Sequence, residues 1–251
     1  MTAPPTTPPL PPLTPRAWLR WDVVERLVDE IRPGTVLEIG CGQGAVGTRL
    51  ARRGQYVAVE PDGTSCAVAA SRIAPAGGTV VNGDHSVLPA GSTYDLVCAF
   101  EVLEHIKDDD AALADWVRLV RPGGALILSV PAFQRRFAPM DERVGHYRRY
   151  EPDELGRKLE DAGLVDPRVI VYAWPLGYVL EAVRNRIDRP KLAAARHLSL
   201  EDRTAASGRA FQPPNQNVGR AVKVATAPFR YLQRLAPTRG IGLVAIASRP
   251  A

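Results

Sequence analysis

Thr35-Val36-Leu37-Glu38-Ile39-Gly40-Cys41-Gly42-Gln43-Gly44 is the stretch on which the fold turns. Thr35 to Ile39 is a short, mostly apolar run of strand type, and glycines follow at once at 40, 42 and 44. Glycine carries no Cβ, so the backbone can turn tightly there and a ligand can come close. Ala45 to Arg53 then reads as a helix whose positive end would face that ligand. Gly42-x-Gly44-x-x-Gly47 also fits the dinucleotide fingerprint, so two cofactor classes compete at this point.

The same alternation continues on both sides of the turn. Upstream, Trp18, Trp21, Val24, Leu27, Val28 and Ile31 recur at helical spacing, and this helix stops before Pro33-Gly34. Downstream, strands are expected at Tyr56–Glu60, Thr79–Val81, Tyr94–Phe100, Ala125–Val130, Pro167–Tyr172 and Gly242–Ala247. Helices are expected at Asp62–Ile73, Asp108–Val120 and Pro152–Ala162. Near-continuous apolar strands separated by helices predict an α/β, doubly wound, Rossmann-like sheet of seven strands. Such a sheet binds ligands beyond the carboxyl ends of its strands, where strand order reverses.

Two segments fall outside this pattern. Residues 1–16 hold seven prolines and read as an extended, flexible tail ahead of a domain spanning 17–251. Residues 174–239 are too long for a simple connection between the sixth and seventh strands. They read as a basic helical insertion or cap near the site, with amphipathic helices at Leu176–Ile187 and Val218–Leu235 and a loop containing Pro213-Pro214-Asn215 between them. Between Leu176 and Arg239 there are 12 Lys/Arg against 4 Asp/Glu, whereas the whole 251-residue chain is only +5. The basic character therefore belongs to one segment, which argues against a uniform nucleic-acid-binding surface. A lid, cap or dimer surface is the first reading of that segment, peripheral contact with an anionic membrane the second, and attraction of an anionic or nucleic-acid acceptor the last.

Composition narrows the class further. The chain is 45% hydrophobic and 24% charged, a globular balance. No apolar run reaches membrane-spanning length. No export signal is evident, and three cysteines without a CxxC pair suit a cytoplasmic protein.

Acids occupy the strand ends. Glu38 lies beside the glycine turn, Glu60 closes the second strand, and Asp84 follows the third. A pyrophosphate disfavours a carboxylate beside it, whereas a cofactor bearing a sulfonium and an ammonium can use one. Glu60 can accept hydrogen bonds from a ribose diol, and Asp84 from an adenine amino group.

With these residues in place, Val36 to Gly44 resembles the first motif of the class I S-adenosylmethionine-dependent methyltransferases. Glu60 resembles that family's ribose-binding acid, and Asp84 its adenine-side acid. Tyr94-Asp95-Leu96-Val97 with Phe100-Glu101-Val102-Leu103-Glu104-His105 resembles the fourth-strand motif, and Arg121-Pro122-Gly123-Gly124 the turn before strand five. The resemblance spans about residues 30 to 172 plus the last strand. It implies that strand seven enters antiparallel between five and six. It also implies S-adenosylmethionine bound by Glu38, Gly40, Gly42, Gly44, Glu60, Pro61, Asp84, His85 and Phe100.

The reaction side is expected after strand four. Glu101, Glu104 and His105, at i, i+3 and i+4, would share one helical face. Their Glu-x-x-Glu-His spacing resembles the metal site of ubiquinone-pathway O-methyltransferases and small-RNA 2′-O-methyltransferases. That implies Glu101, Glu104, His105 and His146 as ligands of Mg²⁺ or Mn²⁺, with Asp141 next in line after His146. Without a metal, His105 or His146 becomes the general base and Glu101 an orienting carboxylate. Gly145-His146-Tyr147-Arg148-Arg149-Tyr150 resembles a segment of many bacterial methyltransferases, and its Arg-Arg-Tyr portion also reads as a structural latch. Asp108-Asp109-Asp110 needs no role beyond matching a helix start.

The expected activity is O-methylation of a small-molecule acceptor, a sugar, glycolipid precursor or aromatic natural product, with no specific nucleic acid involved. The rivals are methylation of RNA or protein, an NAD-linked oxidoreductase, and a non-catalytic cofactor-binding module.

Overall fold

The computed structural model describes residues 10–191 and 215–251. The expected loop around Pro213-Pro214 lies outside these residues, apart from Asn215.

A seven-stranded sheet forms the centre. In chain order the strands are β1 (Thr35–Ile39), β2 (Gln55–Glu60), β3 (Thr79–Asn82), β4 (Tyr94–Phe100), β5 (Val120–Pro131), β6 (Val165–Ala173) and β7 (Gly240–Ser248). Their spatial order is β3-β2-β1-β4-β5-β7-β6, and β7 runs antiparallel to both β5 and β6. The order reverses between β1 and β4, so the crevice opens beyond the carboxyl ends of those two strands. The class and the place of β7 are those expected.

Strand side chains alternate between two buried faces. Val36, Tyr56, Leu96 and Cys98 belong to one core cluster; Leu37, Val59, Val97 and Ala99 belong to the other. The first face is covered by α1 (Pro15–Ile31), α2 (Gly47–Leu50) and α3 (Gly63–Ile73), whose Leu19, Leu50 and Ile73 are fully buried. The second is covered by α4 (Asp109–Leu119) and α6 (Pro152–Asp161), through Trp116, Leu155 and Leu159. A short helix α5 (Pro139–Val144) follows β5. The insertion contributes α7 (Leu176–Asp188) and α8 (Gln216–Arg234).

Four expectations are corrected. The helix expected over Ala45–Arg53 shrinks to the single turn of α2, because tight turns occupy both of its flanks. The flexible tail does not extend to residue 16. Thr14 accepts a hydrogen bond from the Ala17 amide at 3.2 Å and caps α1, and Pro15 supplies a ready-made helical φ at its first position. Leu13 is 2% exposed, the Pro11 carbonyl accepts from Arg49 Nη2 at 2.9 Å, and the Leu10 carbonyl accepts from Gln216 at 3.2 Å. Proline-rich sequence excludes regular structure, but it does not prevent packing.

The insertion does not act as one cap. Its first helix, α7, lies beside α5, whereas α8 packs on α1. There Asp22 of α1, 6% exposed, accepts from Arg234 Nε and from Gln233 Nε2, both at 3.1 Å. Finally, Asp109 is more than a helix-start charge. It is 2% exposed and accepts from the Tyr150 hydroxyl at 2.8 Å, Arg148 at 2.5 Å and Lys158 at 3.2 Å. This locks α4 to the Arg-Arg-Tyr segment and to α6.

The packing of the N-terminal strap is measurable. Replacing Leu13 by Ala should lower unfolding stability by about 2–5 kcal/mol in a denaturant titration, the range for truncating a buried leucine. A residue on a mobile tail would change nothing.

Candidate active site

The glycine turn is built from backbone strain and one carboxylate. Gly40, Gly42 and Gly44 take φ values of +71°, +54° and +74°, which L side chains adopt only at a cost. A Cβ at Gly40 would meet Val102 at 2.7 Å, whereas one at Gly42 would meet nothing within 4 Å. Gly42 therefore faces open space. Glu60 holds the turn: its Oε2 accepts from the Gly42 amide at 2.7 Å, and its Oε1 from the Asp62 amide at 3.0 Å. Burial pushes its pKa up, and those two amides oppose the shift.

Glu38 lies beneath the turn and is 2% exposed. The Tyr56 hydroxyl donates to its Oε2 at 2.5 Å. Burial raises the Glu38 carboxyl from 4.5 to about 7, with Tyr56 and Arg20 working the other way. Gly47 belongs to the same arrangement, since a Cβ there would sit 2.3 Å from the Tyr56 hydroxyl. The third glycine of Gly42-x-Gly44-x-x-Gly47 is thus explained by helix packing on Tyr56, without a dinucleotide.

Of the remaining residues expected at the cofactor, Pro61 is exposed, and its carbonyl accepts from Asn82 at 3.2 Å. Asp84 is exposed and accepts from the Ser86 amide at 2.8 Å; hydrogen bonds with Ser86 hold its pKa down. His85 lies 3.3 Å from Asp115. Phe100, 7% exposed, lies under the Arg20 guanidinium at 5.7 Å. These groups border the crevice from β2, β3 and β4.

After β4 the expected single helical face does not form. Glu101 adopts φ +59°, and its amide is anchored to the Ser129 carbonyl at 2.8 Å; only Leu103–His105 make a 3-10 turn. Glu101 therefore departs from the other two residues. Its carboxylate meets Arg16 at 2.8 Å and Arg20 at 3.4 Å, and accepts from Ser129 at 3.1 Å. Burial pushes its pKa up, but Arg16 and Arg20 override it and bring the group down to about 2.

Glu104, His105 and His146 do come together. Their ligand atoms lie within 4.8 Å of one another, and the two imidazoles meet edge to face at 4.6 Å. Glu104 is fully buried and neither of its oxygens has a hydrogen-bond partner. Burial and the nearby Glu101 push its pKa well up. Burial also pulls His105 down to about 3, so its ring is neutral. Asp141 joins as a support: its Oδ1 lies 2.8 Å from His146 Nδ1, while His146 Nε2 faces Glu104 at 3.8 Å.

Asp141 is itself held. Arg149, 2% exposed, donates to both its oxygens at 2.9 and 2.7 Å, and a third donor nitrogen reaches Glu181 of α7 at 2.5 Å. The Arg149 part of the latch thus serves His146, whereas Arg148 and Tyr150 serve Asp109. Sequence reasoning missed Arg16, Arg20, Tyr56 and Glu181. The one available signal was a pair of arginines a helical turn apart in the first turns of α1.

A family model described as a methyltransferase domain matches residues 15–166. The chain is 32% identical over 157 residues to a ubiquinone biosynthesis O-methyltransferase from Methylobacterium sp. (strain 4-46), covering 55% of this chain and 63% of that protein. It is 34% identical over 148 residues to a probable S-adenosylmethionine-dependent methyltransferase of Mycobacterium tuberculosis (strain ATCC 25618 / H37Rv), covering 57% and 53%. With an uncharacterized methyltransferase of Mycobacterium sp. (strain JLS) it shares 36% over 122 residues, 47% of this chain and 48% of the relative. The chain thus spans about half to just under two thirds of these curated relatives. Among solved structures, phosphoethanolamine N-methyltransferase 2 of Haemonchus contortus with S-adenosylmethionine superposes with a TM-score of 0.58 at 18% identity, covering 92% of this chain and 53% of that one. A Thermotoga maritima protein described as an S-adenosylmethionine-dependent methyltransferase gives 0.53 at 18% identity, covering 92% and 93%. At such identities the likeness is one of fold.

Gly47 separates the two explanations of the glycine pattern. Gly47→Ala should cost about 1–3 kcal/mol by overpacking against Tyr56, measured by thermal unfolding without ligand. A glycine needed only for close approach of a phosphate would leave the ligand-free stability unchanged.

Proposed function

This chain belongs to the methyltransferase-domain family, and we propose that it transfers the methyl group of S-adenosylmethionine to a hydroxyl oxygen of a small molecule. A sugar, a glycolipid precursor or an aromatic natural product fits this reading. The observation that carries it is the cluster beyond the end of the strand that borders the glycine turn, in which the buried, unpartnered Glu104 carboxyl and the His105 and His146 imidazoles bring ligand atoms within 4.8 Å of one another. An amine or carbon acceptor can do without such a group, but a hydroxyl must lose its proton.

The donor sits over Gly42, where no Cβ intrudes. Glu60, which already fixes the turn, offers its remaining lone pairs to the ribose, and Asp84 reaches the adenine side with His85 and Pro61. Glu38, below the turn, acts through its field on the donor's positive end. Arg20, between Phe100 and Glu101, suits the donor's carboxylate.

Methyl transfer is then an in-line displacement. The acceptor oxygen forms a bond to the methyl carbon as the carbon–sulfur bond breaks, and the sulfur keeps the electron pair. The protein supplies alignment and a dry site. Asp141 accepts from His146 Nδ1–H and leaves Nε2 as the acceptor on the side of Glu104. His146 Nε2 takes the hydroxyl proton in this arrangement, and Arg149 keeps Asp141 in place.

The same residues fit a divalent ion. Glu104, His105 and His146 offer a carboxylate and two imidazoles, and Asp141 would orient the His146 ring by accepting from its other nitrogen. Such an ion, Mg²⁺ or Mn²⁺, would lower the pKa of a bound hydroxyl. Glu101 would join only by giving up Arg16 and Arg20.

Two measurements test this. Calorimetry should show S-adenosylmethionine and S-adenosylhomocysteine binding, and NADH failing to bind; the reverse result removes the reading. The folded pKa of Glu38, about 7, lies above its ordinary 4.5. Ionising it therefore costs the folded state increasingly from pH 4.5 up to about 7, and a cationic donor relieves that cost. Preference for the sulfonium over its neutral product should rise roughly three- to tenfold as pH passes 7, and should stay flat in Glu38→Gln.

For the metal, exhaustive chelation should cut turnover at least tenfold, with Mn²⁺ or Mg²⁺ restoring it. Undiminished turnover would leave His146 as the sole base.

A further inference from the structure

Trp18 stands two residues along α1 from both Arg16 and Arg20, and so on the other side of the helix. Three cations from two other elements converge on its indole. Arg49, at the end of α2, lies 5.2 Å from the ring centroid. Lys223 and Arg230, both on α8, lie 5.4 and 5.2 Å from it. Each is therefore within about twice that distance of the other two, and they repel one another.

No carboxylate of the described residues pairs with any of the three. The acid whose field reaches Arg49 is Glu25, and Glu25 is already paired with Arg53 at 2.8 Å. Arg49 itself is 6% exposed, and its guanidinium donates to the carbonyls of Ala45 at 2.5 Å and Pro11 at 2.9 Å, which carry no net charge. Burial lowers its pKa to about 10, as expected where a charge lacks a counter-ion. The indole face attracts each cation but carries no net charge, so it offsets the repulsion without cancelling it.

Two donors at the same place have nothing to bond. Trp18 is 7% exposed and its Nε1–H is buried without a partner; Arg230 Nε is buried without one as well. Buried polar groups are nearly always satisfied, and the usual exceptions mark a ligand, an ion or a water. Three converging cations and two orphan N–H donors ask for an anion that accepts several hydrogen bonds. A phosphate group meets that demand: arginine forks match its oxygens, and lysine adds a point charge. A chloride ion, a single small sphere, cannot span donors set several ångströms apart as the oxygens of a phosphate can.

We infer that Trp18, Arg49, Lys223 and Arg230 form a binding site for a phosphate group, separate from the methyl-transfer crevice and independent of the function proposed for it. The phosphate can be free, or it can be the headgroup of an anionic lipid. Val224 and Tyr231, next to Lys223 and Arg230 in the sequence of α8, are exposed and would face a lipid source.

The test follows the indole N–H resonance of Trp18 in the ¹⁵N-labelled full chain, assigned with Trp18→Phe. Sodium phosphate is titrated against sodium chloride of equal ionic strength. In parallel, binding is measured to phosphatidylcholine vesicles with and without phosphatidylglycerol. A saturable shift with phosphate, absent with chloride, assigns free phosphate. Binding only to the phosphatidylglycerol vesicles assigns a lipid headgroup. In either case Lys223→Gln combined with Arg230→Gln should weaken binding tenfold or more, the effect of losing charge-assisted contacts, while S-adenosylhomocysteine affinity is unchanged. Lys223 is exposed, so the single Lys223→Gln variant serves if the double variant unfolds. The inference is overturned if neither phosphate nor anionic vesicles bind, if chloride reproduces the shift, or if these variants bind as tightly as the parent. Failure of S-adenosylhomocysteine to bind would instead strike the methyltransferase reading and leave this one standing.

Discussion

A carboxyl group placed at the centre of a parallel sheet needs a donor, and Tyr56 supplies it to Glu38 at 2.5 Å. Much of the crevice follows from that contact. Tyr56 must reach across from β2, which leaves no room for a side chain at Gly47 and sets how close α2 packs. The turn above then closes on Glu60, whose two oxygens accept from the Gly42 and Asp62 amides. The carboxylates of two neighbouring strands thus divide the work: one lies beneath the turn in a state that a nearby cation can change, and the other fixes its shape.

The sequence made the sheet legible because its signals are local. Apolar runs of strand length, glycines at 40, 42 and 44, and acids at strand ends are all read within a few residues of each other. The glycine pattern was ambiguous for the same reason. Gly47 looked like part of a phosphate loop because Tyr56, the residue that requires it, lies on the next strand. The reaction side was less legible. The i, i+3, i+4 spacing of Glu101, Glu104 and His105 assumed a helix, yet Glu101 sits at φ +59° and turns toward α1. Nothing within ten residues of Glu101 announces Arg16 and Arg20, since the contact joins positions about 80 residues apart. His146 was found because histidines are few and it follows a strand, but Glu181, which completes its support through Arg149 and Asp141, comes from the insertion and carries no motif.

The insertion is therefore two structures rather than one. The helix α7 enters the site electrostatically. Glu181 shares Arg149 with Asp141, and Asp188, 1% exposed, pairs with Arg143 of α5 at 3.1 Å. The helix α8 turns instead to the N-terminal helix, through Asp22 with Arg234 and Gln233. An excess of basic residues counted along the chain hides this difference. On α7, Arg184 faces the buried Asp188 at 3.5 Å, whereas on α8 Lys223 and Arg230 face an indole and no acid among the described residues.

That contrast bears on what α1 does for the molecule. Its Arg16 and Arg20 compensate Glu101 inside the crevice, and its Trp18 gathers uncompensated charge on the opposite side. One helix therefore borders both the proposed methyl-transfer site and the cluster inferred to hold phosphate. Its N-terminal end is fixed by the Thr14 cap and by Leu13, which is buried, so α1 cannot tilt toward either side without disturbing that packing. The two sites lie on opposite faces of a single helix, within two residues of each other in sequence, so the packing that fixes α1 serves both.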